Sequence, residues 1–388
     1  MLNRRILRFK ALKALYAYHK TRAANRDWAA ERMNAKFEPN WLSETPPRLK
    51  ELEKQYEEAK TIFLEIVETG KEDKAPASKL GKEAVLEAYQ FYGQQVHKDK
   101  QRIRKQMLEE AEGIYETYGL VLSLVVALAD YAQTDAEARR NKSFDREPVY
   151  DNEYKLVRNT WIEKLRALDE FEDLRQRYPL TWEEEKVRTW FRKLSQQPWY
   201  ETYAALPEAS YEEDMQAVDE LIRNFIFKDE AIVEFFEERE LQWSENRPIL
   251  RNMLLRTVKN AKKEEDTLAL QPLAQNWEND RFFFEELFDI ALEEETQNDE
   301  LITERLKGWE LERVALTDRL VLQLALTELL HFQSIPVKVT INEYVELAKN
   351  YSPPKSREFI NGMLDRLSES LQKEGKLKKS GRGLIDNK

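Results

Sequence analysis

Glu328-Leu-Leu-His331 comes nearest in this chain to a metal-binding or catalytic spacing, because a Glu and a His three residues apart share one helix face. Di-iron carboxylate bundles use that spacing, but they need two such pairs and bridging glutamates. The other two histidines, His19 and His97, have Tyr16 and Gln94 three residues earlier, so no second pair exists. His331 then reads more simply as a histidine near the negative end of a helix. No H-E-x-x-H, Walker A sequence, G-x-G-x-x-G or G-x-S-x-G occurs. The acidic runs at 183–185, 264–266 and 293–295 are most simply solvated helix faces. The expectation is a non-enzymatic protein with no metal, cofactor or small-molecule substrate.

The elements around these residues are helical. The 388-residue chain has 41% hydrophobic and 35% charged residues, with only 10 Gly and 13 Pro, a balance that favours helices. Long β-branched alternations are missing, and the Asn-Gly at 361–362 falls inside a helical pattern. Without cysteine there can be no disulfide or thiolate metal site, which fits a reducing compartment. The apolar run Thr117–Ala129, 13 residues between Glu116 and Asp130, falls short of the ~20 residues a spanning helix needs. It reads as a buried core helix of a soluble, cytoplasmic protein with no signal peptide.

The net charge of −11 is unevenly spread. Residues 1–36 hold ten Lys/Arg against two acidic residues, and 373–388 hold six against two, which leaves −23 between them. Basic ends on an acidic chain suit an anionic partner, or are simply solvated termini.

Helical patterns run over about 3–20, 83–139, 155–178, 182–195, 211–228, 229–242 and 246–261, with a loop at 269–281. Proline-bearing stretches at 37–49 and 71–83 read as linkers, and 139–154 as irregular. Five helices close the chain: 281–296, 298–307, 317–332, and one on either side of Ser352-Pro353-Pro354. Thr340 and Glu343 have capping-box spacing, and Ser352 is a candidate N-cap for the last helix. Asn342, Asn361 and Gly362 adjoin apolar positions, which assigns them to registration between helices.

The closing segments "DRLVLQLALTELL", "IPVKVTINEYVELAKNYS" and "SREFINGMLDRL", taken with "NRRILRFKALKALYAY" at the start, resemble the NusB family of bacterial transcription antitermination factors. The resemblance covers roughly residues 1–20 and 280–372 and implies an all-α, NusB-like bundle. In that division 1–20 is the first helix, 21–278 an inserted acidic helical region, 279–372 the C-terminal bundle and 373–388 a disordered basic tail. The family's role implies binding of boxA-type RNA together with NusE, a small-subunit ribosomal protein, during ribosomal RNA transcription. The RNA polymerase elongation complex would be reached indirectly, and no membrane is involved. The alternative is a scaffold of NusB fold that keeps the protein partner without RNA.

For RNA, Arg4, Arg5 and Arg8 at the first helix's start oppose its dipole unless an anion binds them. Lys10 and Lys13 extend that field or are solvated, and Tyr16 stacks on a base or packs in the core. The resemblance adds Tyr351, Lys355 and Arg357 before the last helix, with Glu358 where a basic residue is common. Asp318 and Glu328 are the candidates for docking the NusE-like partner, or are structural.

Overall fold

The computed structural model describes residues 1–39, 48–142, 155–261, 268–306, 310–353 and 355–385, which excludes most of the expected linker at 37–49 and irregular stretch at 139–154. Among the described residues there is no strand. The helices are α1 (Arg4–Asn34), α2 (Leu49–Thr69), α3 (Lys79–Lys142), α4 (Thr160–Arg166), α5 (Asp169–Arg177), α6 (Glu184–Leu194), α7 (Pro198–Ala204) and α8 (Tyr211–Glu220). They continue with α9 (Glu230–Arg239), α10 (Trp243–Asn260), α11 (Trp277–Glu293), α12 (Glu295–Thr303), α13 (Leu316–His331), α14 (Val337–Tyr351) and α15 (Ser356–Lys373).

Two compact units divide the chain. The terminal unit joins Arg4–Glu109 to Glu278–Lys388; the middle unit joins Met1–Asn3 to Glu110–Trp277. The expected insertion at 21–278 is therefore shared between them. No Gly or Pro interrupts residues 4–38, and "TRAANRDWAAERMN" is rich in alanine, so α1 runs on past Lys20. Its second half buries Ala29, Ala30 and Met33 in a cluster with Ile62 and Phe63 of α2 and Val85 and Ala88 of α3.

In the terminal unit α1 packs on α13, and α13, α14 and α15 pack on one another. α13 is apolar on nearly every side, with Leu320, Val321, Leu322, Leu324, Ala325 and Leu326 all fully buried. A helix of that composition must be surrounded, and it forms the unit's axis.

The middle unit is built on the later part of α3, where Leu120, Val121, Leu122, Leu124 and Val125 are buried as expected. α3 carries a stretch long and apolar enough to cross a membrane, and 67% of that stretch is buried inside the protein. A Cβ at Gly119 would lie 2.1 Å from Leu174 Cδ2, so glycine lets α5 approach closely. The expected helix over 155–178 splits because Asn159 caps α4 through Trp161 N and Ile162 N, and a second break follows at Ala167–Leu168. The expected helix at 211–228 passes into a π turn over Leu221–Ile226. Pro198 starts the short α7, and Trp277 starts α11 within the expected loop.

Several local expectations are corrected. Thr340 and Glu343 do not cap α14, which starts at Val337; both side chains bond to other helices. Ser352 closes α14, and α15 begins at Ser356. Asn342 and Asn361 are exposed, Asn361 Nδ2 donates to Asp365 within its own helix, and a Cβ at Gly362 would meet open space. They register nothing, because helical phase turns them outward. The tail is not disordered through Ile385: Ser380 N donates to Gln333 O at 3.0 Å and Gly383 is buried.

α1 also meets α12 through charge. Arg22 grips Glu295 with two bonds of 2.6 and 2.9 Å, and Arg319 of α13 bonds Glu295 and Asp299. His19 is buried beside them, with Nδ1 3.4 Å from Arg22 Nη2 and Nε2 3.8 Å from Glu295. Burial pulls the His19 pKa down from 6.5 to about 4, while Glu295 opposes the shift and Arg22 adds to it. The unfolded chain then binds the His19 proton more readily than the folded one, so stability is complete above pH 6.5 and declines as pH falls toward 4. Urea unfolding at pH 7 and 4.5 should show wild type losing about 2 kcal/mol more than His19→Gln. Equal losses would show that His19 does not titrate in this window.

Candidate nucleic-acid interface

The three arginines at the head of α1 all find anions within the protein. Arg4 Nε bonds Asp280 at 3.0 Å on α11, and its guanidinium lies 4.6 Å from the Phe283 ring centre. Arg5 makes a two-pronged contact with Glu343 of α14, both bonds 2.8 Å. Arg8 is buried and makes the same fork to Glu328 of α13, at 2.6 and 2.8 Å. A bidentate fork fixes orientation as well as charge.

Glu328 is completely buried. Besides Arg8 it accepts from Thr340 Oγ1 at 2.8 Å and Tyr344 OH at 3.2 Å, both on α14. Four bonds to one carboxylate satisfy the group that burial makes costly. Burial disfavours the charge on Arg8, but Glu328 outweighs it and the guanidinium pKa is raised. The Tyr344 pKa is pushed well up by burial and then by Glu328, which keeps its hydroxyl a donor. α1, α13 and α14 thus share one ionic centre. Glu343 stands beside it, its carboxylate held low by Arg5 and Arg8 against the effect of burial.

This placement corrects the docking candidates. Glu328 is turned wholly inward, and Asp318 is buried in the first turn of α13, where Ser356 Oγ donates to it at 2.6 Å. Neither carboxylate is presented to a partner. Arg8 is likewise enclosed, and Lys10 is buried, so neither adds to an outer positive field. His331 Nε2 lies 2.8 Å from Glu294, away from the Glu328 carboxylate that Arg8 holds.

Of the remaining candidates Tyr16, Tyr351, Lys355 and Arg357 are exposed and Lys13 is half-exposed, whereas their neighbour Phe9 is buried. Phe9, Lys13, Tyr16 and Lys20 are spaced by four, three and four residues, which puts them on one stripe of α1. From Phe9 to Lys20 the stripe is about 16 Å long. Tyr351, the last residue of α14, stacks on Phe9 with ring centres 4.2 Å apart and planes 15° from parallel. Lys13 lies over the other partner of that stack, 5.8 Å from the Phe9 centre, and Lys20 lies 5.3 Å from the Tyr16 centre. Tyr16 is 40% exposed and Tyr351 44%. Arg5, whose side chain is 60% exposed despite its pair, stands one turn before Phe9. Lys355 and Arg357 are exposed beside the start of α15, and so is Glu358.

Phe9 itself is buried, so the aromatic faces on offer are those of Tyr16 and Tyr351, set beside the ammonium groups of Lys13 and Lys20, an arrangement that suits stacked bases and a phosphate backbone. Phe9 and Lys20 were not among the expected site residues. The spacing 9, 13, 16, 20 was the available signal. The pairing of Phe9 with Tyr351, 342 positions later, had none.

A NusB family model matches residues 246–369. The NusB transcription antitermination protein of Bacillus subtilis is 40% identical over 90 residues, covering 23% of this chain and 69% of that protein. Those of Salinibacter ruber and Chloroherpeton thalassium are each 44% identical, over 105 and 85 residues. These matches span 66% and 40% of the relatives and 27% and 22% of this chain. A solved T. maritima NusB structure is 29% identical, with 39% of this chain and 90% of that one covered, at a TM-score of 0.21, too low to speak for the fold.

Removing one partner of the buried pair leaves an uncompensated charge, which costs about 3–5 kcal/mol. Arg8→Met and Glu328→Gln should each lower denaturant stability by that order, whereas Arg5→Ala should change it by less than about 1 kcal/mol. Similar effects for Arg8 and Arg5 would deny Arg8 its structural role.

Proposed function

Because the chain belongs to the NusB family, we propose that it is a cytoplasmic antitermination factor that binds boxA-type RNA together with a NusE-like ribosomal protein. It acts by binding and not by catalysis, and reaches the elongating RNA polymerase through that complex. The observation that supports RNA binding is the outer row of α1, half-buried Lys13 with exposed Tyr16 and Lys20, closed at one end by exposed Tyr351, which stacks on the buried Phe9. Arg5, one turn before Phe9, and Lys355 and Arg357, exposed at the start of α15 a few residues after Tyr351, would add positive charge. Arg4 and Arg8 act from behind, by holding α1 in place through Asp280 and Glu328.

A scaffold without RNA binding is the rival reading. Glu343 and Glu358 favour it, since each brings negative charge beside the stripe's flanks. Association measurements with boxA-type RNA, with and without the NusE-like protein, decide between the two.

If Lys13 and Lys20 engage phosphates of a single strand, Lys13→Ala with Lys20→Ala should flatten the dependence of log K on log salt by about 1–1.5. Tyr16→Ala should weaken binding by about 1–3 kcal/mol at an unchanged slope if a base stacks there. Undiminished RNA affinity in both variants would remove this face from the interface. A wild-type complex with the NusE-like protein that takes up no RNA would favour the scaffold.

A further inference from the structure

After α15 the chain does not leave the terminal unit. Gly375, at φ +68°, turns it back, and Gly381, at φ +54°, turns it again. Between those turns Lys379 Nζ donates to Phe332 O at 3.1 Å and approaches Glu328 O at 3.5 Å. These carbonyls lie at the C-terminal end of α13, where they already accept from Phe332 N and Ile335 N and where the helix dipole favours a cation. Ser380 N reaches Gln333 O at 3.0 Å, and a Cβ on Gly383 would come within 2.1 Å of that same oxygen. The tail is thus fitted to one place, the corner between α13 and α14.

Docking there gathers positive charge. Lys378 and Arg382 are exposed on the tail, and Lys338 is exposed in the first turn of α14. No acidic residue occurs from Leu329 to Asn342, and Glu374 is occupied by Arg305 at 2.9 Å and Lys376 at 2.8 Å. The corner also adjoins the head of α1. The Phe332 ring meets the Phe283 ring edge-on at 4.9 Å, and Phe283 carries the Arg4 guanidinium at 4.6 Å. Two ring contacts therefore separate the tail's anchor from the helix whose stripe begins one turn later.

We propose that the docked tail is a second, cationic part of the RNA track, in which Lys378, Arg382 and Lys338 take phosphates of the strand that flanks the segment stacked on α1. This rests on the reading of α1 as an RNA-binding helix. The tail adds affinity for longer strands without reading bases, since phosphate contacts position a strand and carry no sequence information. Structural capping by Lys379 and phosphate binding by its neighbours are separate tasks, and they can be separated by substitution.

The experiment uses the full chain and two single-stranded RNAs, a short boxA-type oligonucleotide and the same oligonucleotide extended on both sides, each titrated over a range of salt. Lys378→Ser with Arg382→Ser should leave Tm and the short RNA's affinity unchanged. For the extended RNA it should weaken binding several-fold and reduce the salt slope by about 1–1.5, two single-strand contacts. Gly383→Ala, which removes no charge but blocks docking, should produce the same loss for the extended RNA, here with a lower Tm because the Lys379 cap goes with it. If wild type binds the extended RNA and both variants match it in affinity and slope, the tail is a structural cap only and the inference fails, with the α1 reading intact. Wild type that binds neither RNA overturns both.

Discussion

A buried guanidinium–carboxylate fork joins the two ends of this chain, and the terminal unit is organised around it. Arg8 and Glu328 are separated by 320 positions, and each would be prohibitively costly to bury alone. Together, with Thr340 and Tyr344 completing the carboxylate's bonds, they fix the rotation of α1 against α13 and α14. A purely apolar contact between these helices would tolerate sliding by a turn. The fork, with its fixed geometry, does not.

That rotation decides what the rest of α1 presents. With Arg8 turned inward, Tyr16 and Lys20 are left exposed and Lys13 half-exposed, and Tyr351 at the end of α14 comes to lie on the buried Phe9. Charge is sorted by the same geometry. Arg4, Arg8 and Arg22 are spent on carboxylates of α11, α13 and α12, while the lysines of the stripe are paired with aromatic faces. Arg4, in the first turn of α1, sits at the positive end of the helix dipole and is tolerable there because Asp280 supplies the anion.

The acidic middle of the chain has two fates. Residues 21–109 lengthen the terminal unit, as α1 continues over α2 and the start of α3 on a small core of Ala29, Met33, Phe63 and Val85. Residues 110–277, joined by Met1–Asn3, form the other unit around the apolar part of α3. Membership of the NusB family says nothing about this second unit beyond its last helix, because the family match begins at residue 246.

Sequence alone determined the all-helical class, the buried apolar run of α3 and the packing of the first helix with the closing ones. The first two follow from scarce Gly and Pro and from hydrophobic period, which are local; the third is what the resemblance to the NusB family implies. The resemblance to the NusB family put forward Tyr16 and Tyr351 as stacking candidates, and the basic run of the first helix put forward Lys13, each with a structural or solvated alternative that the sequence left open. Only the tertiary structure decided that Glu328 and Asp318 point inward, that Asn342, Asn361 and Gly362 point outward, and that the tail returns to α13. The reason is that a charge's partner is set by which helices meet and at what rotation. Glu328 looks the same in sequence whether it faces solvent or Arg8.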